Sequence, residues 1–145
     1  MNVCFIGVGN IGRRHIQSSL SLSDNYNFFI VDKCSDSIKK SKILTGKKKN
    51  YFFYDTLPLR QNIDLLFLAT TAAHRFEIFK NVLGNHNVKN IIFEKVVFQK
   101  PSHYAECLKI LQDQKVNCWI NNWPRYAPYY KDVKKNLKNK TPIAI

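Results

Sequence analysis

The run Gly7-Val8-Gly9-Asn10-Ile11-Gly12 constrains this chain more than any other feature of its 145 residues. It follows the apolar stretch Asn2 to Ile6 and opens a segment of helical spacing, Ile11 to Leu20. Each glycine has its own physical reason. Gly7 allows a tight turn out of the strand, Gly9 lets the backbone approach another group with no Cβ in the way, and Gly12 lets the helix pack on the strand. A helix starting on such a loop presents unpaired N–H groups and the positive end of its dipole, and both attract an anion. About twenty residues further on, Asp32 closes the next apolar run, Phe28 to Val31. Together these features predict a βαβ unit that holds a dinucleotide, with the pyrophosphate on Gly7, Gly9, Asn10, Ile11 and Gly12 and the adenosine ribose on Asp32. The charge of Asp32 repels the extra phosphate of NADP, so NAD is the first expectation. Lys33 beside it could hold a 2′-phosphate and keeps NADP open.

The same rhythm continues downstream. Strand-like runs are Asn2 to Ile6, Phe28 to Val31, Tyr51 to Phe53, Leu65 to Ala69, Asn90 to Phe93 and Asn117 to Ile120, most of them apolar throughout. Continuous apolarity suits strands buried on both faces. Between them, Ile11 to Leu20, Ser35 to Leu44, Ala72 to Leu83 and Ser102 to Gln114 have helical spacing, with Ser35 and Ser102 as caps and Gly46 and Gly84 as stops. Pro58 makes Asp55 to Asn62 extended or loop. The pattern predicts an α/β protein with a Rossmann fold: a doubly wound, mostly parallel six-stranded sheet with helices on both faces. Beyond Trp123 the character changes to Pro124, Pro128, a Lys-rich helix candidate from Tyr129 to Asn139, and a strand-like start at Thr141 to Ile145. The expected division is a nucleotide-binding domain over 1–122 and, over 123–145, a linker helix and the start of a truncated second domain.

Twenty-three Lys and Arg against ten Asp and Glu give a net charge of +13. Such a charge attracts nucleotides, nucleic acid or an anionic surface. The clusters Lys39, Lys40 and Lys42, Lys47 to Lys49 and Lys131 to Lys140 read as solvated faces, and without a nucleic-acid motif no nucleic-acid partner is expected. Cys4, Cys34, Cys107 and Cys118 lie far apart with no metal-ligand spacing, so they read as buried, reduced thiols of a cytoplasmic protein without a metal. No apolar run is long enough to cross a membrane, and the glycines and arginines from Gly7 to Arg14 interrupt any signal-like core.

Beyond the glycine loop, four segments resemble the Gfo/Idh/MocA family, the glucose-fructose oxidoreductase and inositol dehydrogenase relatives. The first is Gly7 to His15. The second, Leu68-Ala69-Thr70-Thr71-Ala72-Ala73-His74, is similar to the family's Ala-Thr-Pro-Asn-x-x-His, with Thr71 and Ala72 in place of Pro and Asn. The third, Phe93-Glu94-Lys95 followed by Pro101 and Glu106, resembles the Glu-Lys-Pro loop and its succeeding helix, with Val96 where Pro is usual. The fourth, Asn121 to Pro128, is similar to the Asn-x-x-Arg-Phe-x-Pro lead into the substrate domain.

The resemblance implies hydride transfer between a nicotinamide and a carbon of a sugar, nucleotide-sugar or polyol. It makes Lys95 the residue that polarises the reacting oxygen, with Glu94 setting the lysine's charge and position. It also places Thr70, Thr71 and His74 beside the nicotinamide ribose and Arg125 near cofactor or substrate. His15, His86 and His103 carry no role in this reading. The family's second domain is missing, so cofactor binding without substantial turnover is expected. Exposed apolar surface from Trp119 to Tyr130 then favours homo-oligomerisation or self-association. The alternative is a non-catalytic dinucleotide-binding or redox-sensing module.

Overall fold

A computed structural model describes residues 1–22, 25–122 and 127–138 of the chain. Its elements run β1 (Asn2–Ile6), α1 (Asn10–Ser19), β2 (Asn27–Val31), α2 (Ser35–Thr45), β3 (Tyr51–Tyr54), β4 (Asn62–Ile63), β5 (Leu65–Leu68), α3 (Ala72–Asn85), β6 (Asn87–Val88), β7 (Asn90–Glu94), α4 (Pro101–Asp113), β8 (Asn117–Asn121) and α5 (Pro128–Lys138). Six strands form one sheet in the order β3-β2-β1-β5-β7-β8. Every pairing in it is parallel, so each connection crosses a face of the sheet. The reversal of strand order falls between β1 and β5, where a crevice opens at the carboxyl ends of the strands.

Alternation along β1 shows how the two faces are filled. Cys4 and Ile6 join Leu66, Leu68, Phe76, Phe79 and Leu111 in a core under α3 and α4. Val3 and Phe5 point the other way, with Ile16, Phe28 and Ile30 under α1 and α2. This is the doubly wound arrangement that the apolar runs predict. At the opposite end of the strands the register is pinned by polar side chains. Asn27 donates to Asn2 Oδ1 at 3.1 Å and Asn117 to Asn90 Oδ1 at 3.0 Å. Asp64 accepts from the Asn2 amide and from Lys89 Nζ, both at 2.8 Å, and these partners hold its carboxyl below the usual range.

Four expectations need correction. Ser35 and Ser102 do not cap their helices. The N-caps are Cys34 and Lys100, neither with a side-chain cap bond, and Pro101 opens α4, where its missing N–H costs nothing. Gly84 lies inside α3, which runs on to Asn85, whereas Gly46 does end α2 in a left-handed turn of φ +59°. The short parallel pair β4 and β6 was not foreseen, because two residues carry no periodicity. Finally, only Cys4 and Cys107 are buried. Cys34 sits on the loop after β2. Cys118 lies on β8, a sheet edge among the described residues, where Trp119 and Ile120 are also about half exposed (53% and 51%).

Candidate nucleotide site

The glycine loop is built from three different steric situations. Gly7 turns out of β1 at φ +85°, and a Cβ there would lie 2.6 Å from the Thr70 nitrogen. Gly12 is packed face-on against the loop, since a Cβ would lie 2.1 Å from the Gly7 carbonyl oxygen. A Cβ on Gly9 would meet nothing within 4 Å. Gly9 is also the N-cap of α1, which has no side-chain cap and no acid in its first turn. The first-turn amides are therefore left for an anion over an unobstructed stretch of backbone.

Asp32 ties this loop to the end of β2. Its Oδ2 accepts from the Val8 N–H at 2.7 Å and its Oδ1 from the Cys34 N–H at 2.8 Å. Each oxygen keeps a lone pair for a hydroxyl donor. Arg13 donates to the Val8 carbonyl at 3.2 Å and to Asn10 Oδ1 at 2.7 Å, so it braces the loop.

A cleft of about 1360 Å³ runs over the loop. Gly7, Gly9, Asp32, Lys33 and Cys34 line one part, and Thr70, Thr71 and His74 line the part beyond β5. The Thr70 hydroxyl is buried and has no hydrogen-bond partner among the described residues. An open Gly9 backbone, a free helix start, an acid at the end of β2 and an orphaned hydroxyl all fit a dinucleotide. Asn10, Ile11 and Gly12 do not line the cleft: Asn10 and Ile11 are exposed, and Gly12 is sealed against Gly7.

Two cleft residues have shifted acidity. The amide of Ser37 is the largest influence holding the exposed Cys34 thiol below its ordinary value. Burial lowers His86, whose Nδ1 accepts from the Gln61 N–H at 3.2 Å and so is deprotonated.

Glu94 and Lys95 sit at the neighbouring strand end. Lys95 is exposed, does not line the cleft, and is joined to Val96 by a cis peptide bond. Arg125 lies outside the described residues. The Glu94 carboxylate is held by groups to which the sequence assigns no role: His15 Nε2 on α1 at 2.5 Å and Asn121 Nδ2 on β8 at 2.6 Å, both on Oε1. His15 therefore has a structural partner across 79 positions. Arg75 was also missed. It is buried at 3% exposure, and its guanidinium donates to the carbonyls of Thr70, Glu94, Val96 and Val97. Burial lowers its pKa, opposed by the nearby Glu94 charge.

The family model described as an oxidoreductase family with an NAD-binding Rossmann fold, Gfo/Idh/MocA, matches residues 1–122. The chain belongs to the Gfo/Idh/MocA family. Solved structures give the same fold. The WlbA dehydrogenase of Chromobacterium violaceum, in complex with NADH and UDP-GlcNAcA, superposes with a TM-score of 0.79 at 14% identity over 97% of this chain and 40% of that one. The myo-inositol 2-dehydrogenase of Lactobacillus plantarum gives 0.73 at 18% identity, covering 96% and 41%. KijD10, a 3-ketoreductase of Actinomadura kijaniata in complex with NADP and TDP-benzene, gives 0.74 at 15%, covering 96% and 42%. The chain thus spans about 40% of the length of these relatives. By sequence, no curated protein matches. As a family member, this Gfo/Idh/MocA chain carries the NAD-binding Rossmann fold of that oxidoreductase family over residues 1–122. No helix among the described residues is long and apolar enough to cross a membrane.

Proposed function

We propose that this chain is the cofactor-binding half of a dehydrogenase or reductase acting on a sugar, nucleotide-sugar or polyol. The observation that carries the reading is the continuous cleft from Asp32 over Gly9 to Thr70, Thr71 and His74. The open backbone at Gly9 takes the pyrophosphate. Asp32 takes the adenosine ribose hydroxyls, and its charge favours NAD over NADP despite Lys33. Thr70, Thr71 and His74 border the nicotinamide ribose, and the orphaned Thr70 hydroxyl supplies a donor there. Bound NAD provides the hydride acceptor or donor.

Lys95 supplies the rest of the chemistry. Its ammonium donates to the reacting oxygen and moves the proton at Nζ as the carbon gains or loses hydride. The substrate classes are those of the structural relatives: a UDP-GlcNAcA-bound dehydrogenase, an inositol dehydrogenase and a 3-ketoreductase. Among the described residues Lys95 is exposed to water, which supports cofactor binding with little turnover. That solvent exposure also favours the alternative of a non-catalytic dinucleotide-binding module. Residues 123–145 would lead from the nucleotide domain toward a substrate domain, and Arg125 would reach cofactor or substrate. Trp119, Ile120 and Tyr129, each about half exposed, support self-association, which sedimentation at increasing concentration tests. The reduced thiols suit the cytoplasm.

Turnover decides between the readings. The chain, alone and joined to a substrate domain of a structural relative, is assayed with NAD and a panel of nucleotide-sugars and inositols. Turnover in the joined protein that is lost in Lys95→Met supports the oxidoreductase. Tight NADH binding with no turnover in either form favours the module.

A further inference from the structure

The Glu94–Val97 turn is gripped from two sides, and both grips converge on Lys95. From the α3 side, the Arg75 guanidinium bonds the carbonyl before Lys95, that of Glu94, and the two after it, those of Val96 and Val97. Its other terminal nitrogen reaches the Thr70 carbonyl, on the strand end that lines the cleft. One planar fork thus ties the lysine turn to the cleft rim. A lysine in its place could not do the same, because an ammonium is a point donor without the rigid fork. From the α1 side, His15 Nε2 and Asn121 Nδ2 both engage Glu94 Oε1. His15 lies one turn beyond Gly12, so this second grip ties the lysine turn to the helix that starts at the pyrophosphate loop.

Both grips are shielded. Arg75 is 3% exposed, and the His15 and Glu94 side chains are 18% and 12% exposed. The His15 ring also leans on Phe67, with centroids 4.8 Å apart. Proline, which would restrict the backbone after the lysine, is replaced here by Val96. The turn is therefore fixed by hydrogen bonds reaching in from α1, α3 and β8. Displacing a catalytic group by about 1 Å is enough to cost about a hundredfold in rate, so a group fixing such a turn bears on chemistry without touching it.

We propose that Arg75 and His15 are positioning residues for Lys95: they hold its amine toward the nicotinamide end of the cleft without contacting cofactor or substrate. The inference rests on the reading of Lys95 given above. The test is the rate at which an amine-directed acylating reagent modifies Lys95, followed by mass spectrometry with and without NADH, using exposed Lys109 as the internal reference. With NADH at about ten times its dissociation constant, Lys95 modification in the parent slows by about tenfold, because only the unbound fraction reacts freely. Arg75→Lys and His15→Leu are compared at the same roughly tenfold excess of NADH over their own measured dissociation constants, where protection of Lys95 falls to less than about twofold while Lys109 is unchanged. His15→Gln, which keeps a donor for Glu94, restores most of the protection.

Full protection in Arg75→Lys and His15→Leu, whatever their melting temperatures, would overturn the proposal and leave both residues with a purely structural role. If Arg75→Lys does not fold, the three His15 proteins decide the matter. A parent that binds NADH without protecting Lys95 overturns the reading of Lys95 itself, and the positioning proposal with it.

Discussion

Replacing Gly12 with alanine separates loop packing from helix propensity, because the two have opposite signs. Gly12 lies inside α1 and has no left-handed φ, so propensity alone makes Gly12→Ala stabilising by about 1 kcal/mol. The added Cβ, however, would lie 2.1 Å from the Gly7 carbonyl oxygen and 3.0 Å from its carbon. Both are backbone atoms of a turn that is itself wedged against Thr70. No side chain can swing away, so α1 must lift from the loop. Overpacking of this kind costs about 3 kcal/mol or more, at the upper end of its usual range. The net expectation is destabilisation by about 2 kcal/mol, a fall of about 6 °C in melting temperature for a domain of this size. NADH binding weakens as well, since the helix start moves away from the pyrophosphate. The paired variant is Gly9→Val, whose side chain enters open space. Its melting temperature stays within about 2 °C of the parent, while NADH affinity drops at least about tenfold. Calorimetric melting and NADH titration of the three proteins check both claims. A Gly12→Ala protein that melts at or above the parent would refute the steric reasoning.

Thiol labelling at neutral pH should modify Cys34 first, since it is exposed and its pKa is lowered, which raises the thiolate fraction. Cys107, pushed up to about 12 by burial, and the still more buried Cys4 should label only on unfolding. NADH should slow labelling of Cys34 because that thiol lines the cleft. For His86, burial places the folded pKa below the unfolded value of about 6.5. The unfolded state therefore takes up protons first, and stability is full above that pH and declines as pH falls toward the folded value. Denaturant melts at pH 7.5 and 5.5 should show this decline, reduced in His86→Gln. The lowered pKa of Asp64 acts the same way at lower pH, below about 4, and Lys89→Ala should shrink it. Phe79→Ala, in the core between α3 and the sheet, should cost about 3–5 kcal/mol in chemical denaturation.

The fold was legible where local chemistry is self-sufficient. The glycine spacing and the acid at Asp32 name a βαβ unit because each residue type answers a steric or electrostatic demand within about thirty residues. The apolar runs located all six main strands, and the two-sided burial they imply is nearly complete in β1. It fails in β3 and β8, which are the edges of the sheet among the described residues, because strand order is a property of the whole sheet. The same limit hid the supports of the lysine turn. Arg75 reads as an ordinary helix residue until α3 is placed over β7, and His15 is paired with a carboxylate 79 positions away. Asp32 was singled out for a ribose, yet both of its oxygens also hold the chain's own amides, a role that only the packed loop makes visible.

The most direct test of the account is a calorimetric titration of the chain with NADH and with NADPH, repeated on Gly9→Val and Asp32→Ala. The account predicts that NADH binds more tightly than NADPH, that Gly9→Val loses both, and that Asp32→Ala loses most of the preference. Failure of the parent to bind either nucleotide, or undiminished binding in Gly9→Val, would contradict it.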